Sequence, residues 1–359
     1  MKEDRLGFKY PEVDMDKCVD CRICERTCSF RPFDTERVPE AFAVRHKDIS
    51  EVLQSTSGAA FAAFSDYFLR NAGVVYGAAY EGHFRVIHKR AVTAEERDSF
   101  RKSKYVQSDM GDVFRQVKAD LKNGLKVLFT GTPCQVDGLR SYIGASLSEN
   151  LYLADIVCHG VPSPEVWKEY IQWQEKKYGE PAVSVEFRDK TFGWRSAVES
   201  FTFNKEKVSS KSYNYLFYKH LTLRESCGDC PYASIRRPSD LTMADYWRKD
   251  KICPGFADDQ KGCSLVLCHT GKGREMLDSA SDSLHVASVD LESCLQQNLV
   301  RPSGLHPQRR DFEEDFVTRG LEYVLDKYGD QGWKYKVEAS IRTVYQTVRQ
   351  TARKILGRR

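Results

Sequence analysis

From about residue 41 onward, short continuous apolar runs alternate with stripes of apolar residues at helical spacing, which is the rhythm of strand and helix in turn. Ala41–His46 reads as a short strand, and Ser57-Gly58 opens a helix over Ala59–Leu69 whose aromatics fall three and four residues apart. Gly73–Ala79 and Phe84–His88 read as strands. Asp112–Leu121 reads as an amphipathic helix capped near Asp109. Lys126–Thr130 is a buried strand, Gly131-Thr132-Pro133 turns it, and Cys134–Tyr142 begins a helix with Pro133 near its first position. Leu151–Val157 is a second buried strand, turned by Cys158–Ser163 into a helix around Glu165–Lys176. Two strand–loop–helix units in succession predict an α/β fold, a mostly parallel or mixed sheet with flanking helices. Val183–Phe187 and Ser200–Phe203 read as later strands, and the region 227–268 as rich in loops.

Residues 1–40 carry no such rhythm. They hold four cysteines within eleven residues and too few apolar side chains for a core of their own, so a cofactor is expected to organise them. The chain has no internal repeat, and no run approaches the roughly 18–20 apolar residues of a membrane span. Hydrophobic residues at 41% and charged residues at 30% exclude wholesale disorder. Met1–Arg5 is charged and leads into no apolar run, so no secretory leader and a cytoplasmic location are expected.

Net charge is +4, but Trp333–Arg359 holds eight basic residues and one acid, which leaves the body mildly acidic. Nucleic acid is therefore not an expected partner. In the tail, Ile341, Val344, Tyr345, Val348, Ala352, Ile355 and Leu356 recur at helical spacing beside a stripe of Arg342, Arg349 and Arg353. Such a helix either docks on the body or a partner, the favoured reading, or makes peripheral contact with anionic lipid.

Twelve cysteines in a reducing compartment point to metal ligands, redox groups or small buried hydrophobes. The spacing Cys18-x-x-Cys21-x-x-Cys24-x-x-x-Cys28 suits a 4Fe-4S cube, because three thiolates two residues apart converge on three irons. Zinc prefers separated pairs. In the simplest reading Cys28 closes the cube; the alternative is a cysteine from 227–268. Cys227-Gly228-Asp229-Cys230-Pro231 is either half of a second cluster or a structural thiol pair.

The turns at Ser55–Gly58, Ser103–Asp109 and Gly131–Cys134 each precede a helix, and their free amides and dipoles favour phosphate. A dinucleotide is the natural occupant of an open parallel sheet at that edge. Neither a G-x-G-x-x-G turn nor a P-loop is present. Cys134 reads as a reactive thiol or a packing group, and His159 as a proton donor or a capping residue.

Together these residues resemble the coenzyme F(420) hydrogenase/dehydrogenase beta-subunit family. The resemblance is carried by the Cys18–Cys28 run, Ser55-Thr56-Ser57-Gly58, Gly73-Val74-Val75-Tyr76-Gly77, Ser103–Ser108, Gly131-Thr132-Pro133-Cys134-Gln135, Cys158–Pro164, Phe187-Arg188-Asp189-Lys190, Cys227-x-x-Cys230-Pro231 and Ser239–Trp247. It implies FAD in the α/β body, with Ser57, Gly58, Lys104, Tyr105, Gln107, Thr132, Pro133 and Cys134 as candidates to line the flavin site. It implies division into a ferredoxin-type segment (1–40), an N-terminal α/β region (41–122), a C-terminal α/β region (123–330) and the basic helix (331–359). Two departures from the family pattern stand out. A first cysteine run ahead of Gly7–Pro11 is missing, implying one fewer cluster, and Ser57-Gly58-Ala59 replaces the usual Ser-Gly-Gly.

The expected function is that of an iron–sulfur flavoprotein oxidoreductase. Electrons would pass between ferredoxin or a partner reductase, a 4Fe-4S cluster, FAD, and an organic substrate or deazaflavin. Some bacterial members of the family are linked to surface-polysaccharide biosynthesis. The alternative is a non-catalytic subunit that carries a cluster for a partner enzyme.

Overall fold

The computed structural model describes residues 1–27, 37–247, 260–333, 335–337 and 340–341. At its centre is an eight-stranded mixed sheet. Val74–Glu81, Val127–Gly131, Leu151–Ile156 and Leu241–Asp245 run parallel as neighbours. Arg85–Ala91 closes one edge antiparallel. Beyond Leu241–Asp245, the strands Ser264–Cys268, Glu40–His46 and Leu284–Val289 follow, each antiparallel to the last. Parallel strands covered on both faces read as continuous apolar runs, and Val127, Leu128 and Phe129 are all buried. The edge strand Arg85–Ala91 instead alternates buried and wetter positions.

Helices Ala60–Arg70 and Gly271–Ser279 share one core with the sheet, where Phe64, Phe68, Met276 and Leu277 join Leu128, Tyr152 and Val266. Helices Val113–Lys122 and Pro133–Ile143 build another, with Val117 and Leu139 beside Val127, Phe129 and Leu153. A third core joins helices Pro164–Tyr178 and Arg309–Lys327 to a small antiparallel sheet of Ser184–Glu186, Glu199–Thr202 and Lys207–Ser210. The mixed α/β sheet with flanking helices is the fold class that the sequence predicts.

Three local expectations need correction. The cysteine-rich stretch 227–268 contributes two inner strands, Leu241–Asp245 and Ser264–Cys268, so only its remainder is loop. The helix expected to be capped near Asp109 begins at Val113 with Asp112 in the cap position. Asp109 instead accepts from Lys9 Nζ at 2.7 Å and from the Gly111 amide at 3.1 Å. Finally, the first ten residues are not coreless: Leu6 and Phe8 are completely buried in the core that contains Trp167, Phe201 and Phe312. Residues 11–25, which include Cys18, Cys21 and Cys24, are exposed.

Candidate functional site

The parallel strands Val127–Gly131 and Leu151–Ile156 are adjacent, so the turns that follow them lie side by side at one edge of the sheet. The first turn delivers Cys134 at the start of helix Pro133–Ile143. Pro133 suits that position because its missing N–H would have no partner there. The second delivers Cys158. A third segment then crosses this edge: Leu223 bridges to Pro162, the Arg224 amide donates to Val161 O at 3.0 Å, and the Val161 amide donates to Cys227 Sγ at 3.5 Å. Gly160 makes the crossing tight. It sits at φ +112°, and a Cβ there would come within 2.8 Å of Leu223 and 3.4 Å of Cys227. Tyr232 donates to Asp137 Oδ2 at 2.7 Å, fixing the Cys227–Pro231 turn on the helix that carries Cys134.

Four thiols are thereby gathered: Cys134, Cys158, Cys227 and Cys230. Each lies within electrostatic reach of the other three, and each would raise its neighbours' pKa on ionising. Burial is the largest cause for all four, pushing Cys227 up to about 12 and Cys158 well above the ordinary thiol value. The Cys134 side chain is exposed, yet the protein packed around it raises its pKa against the Thr132 hydroxyl and the local backbone amides, opposite to the direction expected of a helix N-terminus alone. All four are reduced thiols. Among the described residues no three Cys, His, Asp or Glu side chains close around a single ion. Four thiols, each costly to ionise alone, are the donor type of an iron–sulfur cluster, whose irons supply the charge that stabilises thiolate.

The N-terminal run lies alongside. Asp20 and Arg22 take left-handed conformations at φ 50° and 54°, which coil the chain between Cys18, Cys21 and Cys24. The short helix Ile23–Thr27, which contains Cys24, lies against helix Pro133–Ile143. Cys28 lies outside the described residues, as do Cys253 and the basic tail from residue 342.

The segments expected to line a flavin meet along the same edge. The Ser103 amide donates to Thr56 Oγ1 at 3.0 Å, and the Gln107 amide donates to Pro162 O at 3.1 Å. Gln135 closes a capping box on Thr132 and donates to Ser108 Oγ at 2.8 Å. Thr132, Pro133 and Gln107 are thus brought beside the four thiols, of which Cys134 is one. Ser57 and Gly58 are held apart from them, on the strand Ser264–Cys268: Ser57 Oγ donates to Cys263 O at 2.7 Å, and the Gly58 amide donates to Ser264 Oγ at 2.9 Å. Gly58 is required by packing, because a Cβ there would sit 2.4 Å from Val44 O. Tyr105 is buried against Phe187 and Phe217, with ring centroids 5.3 and 4.8 Å away.

Two lysines around these turns have no carboxylate within ion-pair distance among the described residues. Lys104 Nζ donates to Ser99 O and Arg101 O, both at 2.8 Å. Lys190 Nζ donates to the carbonyls of Val52, Ser57 and Lys261 at 2.5–3.0 Å. Burial is the largest cause that brings each down to about 7; Lys102 adds to it at both, and Asp245 opposes it at Lys190. Buried cations set around serine- and threonine-rich turns suit an anion. Lys190 is visible in the sequence only as part of Phe187–Lys190, and nothing local marks it as a partner of the Ser57 turn.

His159 follows Cys158 and packs edge-on against Phe217 and Tyr218. Its Nε2 lies 2.8 Å from His220 Nε2, and His220 Nδ1 lies 2.6 Å from Gly304 O. His159 Nδ1 lies 3.2 Å from Asn298 Oδ1, so both outer ends of the histidine pair face oxygen acceptors, which only accept. Burial, then His220, lowers His159 to about 4, which keeps it neutral at pH 7.

Residues 124–293 match the family described as the C-terminal part of the coenzyme F420 hydrogenase/dehydrogenase beta subunit. Among solved structures, the chain is similar to one in the xenon-derivatised F420-reducing NiFe hydrogenase complex from Methanosarcina barkeri. The two are 15% identical with a TM-score of 0.49, over 84% of this chain and 97% of the other. No curated protein matches. Among the described residues, no helix is long and apolar enough to cross a membrane.

Proposed function

We propose that the protein is an iron–sulfur electron-transfer protein with two clusters in series. The Cys18, Cys21 and Cys24 run, closed by Cys28, would hold one; Cys134, Cys158, Cys227 and Cys230 would hold the other. The convergence of those four thiols on one sheet edge carries this reading. The contact of helix Ile23–Thr27 with the helix that starts at Cys134 supports the order, outer cluster to inner. FAD would lie beyond the inner cluster, along the turns of Thr56–Gly58, Ser103–Gln107 and Thr132–Cys134, with Lys104 and Lys190 supplying charge to its phosphates. When bound, a flavin supplies the exchange between single electrons and hydride. His159, next to His220, stands beside this path as the candidate catalytic group, whereas Cys134, the other catalytic candidate in the sequence, is taken up in this reading as a cluster ligand. The acceptor would be a small organic molecule or a deazaflavin, and the donor a ferredoxin or partner reductase.

A cytoplasmic location, the division at residues 40, 122 and 330, and a role in surface-polysaccharide assembly belong to this proposal. So does contact of the tail with anionic lipid. A second reading, a carrier protein with no substrate of its own, is favoured by exposed Met15, Val19 and Ile23 around the N-terminal cysteines, an apolar rim suited to a protein partner. Anaerobic purification with flavin measured per chain, followed by turnover with a one-electron donor, separates the two. Bound flavin and steady reduction of a small acceptor support the enzyme, whereas failure to bind added FAD leaves the carrier.

A further inference from the structure

Arg224 is half-buried, and among the described residues it pairs with no carboxylate. Its Nη1 donates to Gln107 Oε1 at 3.1 Å and its Nη2 to Lys9 O at 3.0 Å. The guanidinium lies 4.0 Å from the centre of the Tyr10 ring and 5.6 Å from that of Phe8. Every one of these partners is neutral, although a buried cation held by neutral groups alone is costly. Its position puts the charge near the four thiols: the Arg224 carbonyl accepts from the Cys227 amide at 2.9 Å, its own amide binds Val161, the residue that donates to Cys227 Sγ, and the Gln107 that accepts from its guanidinium donates its amide to Pro162 O in the turn after Cys158 at 3.1 Å.

We propose that Arg224 is the fixed counter-charge of the cluster held by Cys134, Cys158, Cys227 and Cys230, and that it raises the reduction potential of that cluster while tying it to the Gln107 segment. This rests on the reading of the four thiols as cluster ligands. Four thiolates around iron and sulfide leave a net negative charge, and one added electron makes it more negative with no bond formed or broken. A nearby permanent cation favours the reduced state. Tyr10 and Lys9 lie on the strand Lys9–Tyr10, so the N-terminal hairpin, anchored by buried Leu6 and Phe8, acts as the platform on which the guanidinium is oriented. Arg224 is a positioning and tuning residue rather than a catalytic one.

The test is a dithionite titration of the full chain, anaerobically reconstituted with iron and sulfide and followed by electron paramagnetic resonance. A unit charge at roughly 10 Å in an effective dielectric of about 20 corresponds to about a tenfold change in the equilibrium, or ~59 mV for one electron. Arg224→Gln is expected to lower the midpoint of one cluster by about that amount, leaving the other cluster and the iron content unchanged, and Arg224→Lys to restore most of it. Gln107→Glu keeps the arginine and its packing but neutralises its charge, so it gives the same lowering even if Arg224→Gln does not fold. Full iron with an unmoved midpoint in both Arg224→Gln and Gln107→Glu overturns the inference alone. Wild-type protein with iron only at the Cys18 run overturns the reading beneath it as well.

Discussion

The Val161 amide donates to the sulfur of Cys227 across 66 residues of sequence, at 3.5 Å. This bond ties the turn after Leu151–Ile156, which carries Cys158, to the Cys227–Cys230 turn. Its consequence is a sharp division among the cysteines of the body. Cys134, Cys158, Cys227 and Cys230 share one edge, whereas Cys268 and Cys294 are buried and Cys263 donates to the Val44 carbonyl at 3.7 Å. Cys227→Ser is therefore expected to abolish one cluster signal in the resonance spectrum. Cys294→Ser should leave both signals, with a stability change of about 1 kcal/mol. Equal loss in the two variants would refute the division.

The N-terminal strand pair is anchored by Phe8, which is completely buried beside Arg224. Truncating it to alanine is expected to cost about 3–5 kcal/mol. A denaturant midpoint within error of the wild type would mean that residues 1–10 do not pack on the body.

The inner strands Val74–Glu81, Val127–Gly131 and Leu151–Ile156 are legible in the sequence because covered parallel strands are continuous apolar runs. Leu241–Asp245 and Ser264–Cys268 are not. Each is five residues long among cysteines, prolines and glycines, and each becomes a strand by pairing with distant chain, Leu241 with Ala154 and Ser264 with Val44. The Cys18–Cys28 run is legible as a motif because its spacing is local. In the second set, Cys227 and Cys230 are legible as a pair, but Cys134 reads locally as a reactive thiol or packing group and Cys158 as part of a turn. Only the adjacency of two parallel strands, crossed by the segment that carries Cys227, makes them neighbours. Leu6 and Phe8 escape a reading of the sequence because two apolar residues among charges form no period.

Lys190 binds three carbonyls of the chain around Ser57 while burial holds its pKa down to about 7. Lys190→Met is expected to weaken FAD binding by about tenfold, the loss of one charged hydrogen bond or its equivalent. Lys104→Met should behave similarly. Isothermal titration against the reconstituted apoprotein checks both. Unchanged affinity in the pair would place the flavin phosphates elsewhere.

Acid should destabilise the fold through two buried histidines. His88 Nε2 faces Thr130 O at 3.0 Å and burial lowers it to about 4; His269 Nε2 donates to Thr242 Oγ1 at 2.8 Å and burial lowers it to about 3. Between those values and the unfolded pKa of about 6.5, the unfolded chain binds more protons than the native one, so stability rises with pH across that window. Below it both states are protonated and the slope vanishes. Each histidine contributes up to about 1.4 kcal/mol per pH unit inside the window. Chemical denaturation from pH 4 to pH 7 should show this slope, reduced by about a third in His269→Asn, because His159, also lowered to about 4, contributes in the same window. A flat profile would mean that neither histidine is buried neutral.

The central claim, that Cys134, Cys158, Cys227 and Cys230 hold a cluster distinct from that of the N-terminal run, is tested most directly by counting iron and acid-labile sulfide per chain. The comparison is between anaerobically purified wild type and Cys158→Ser. The account predicts about eight irons in the wild type and about four in the variant, since each cubane holds four. About four irons in both proteins would contradict it.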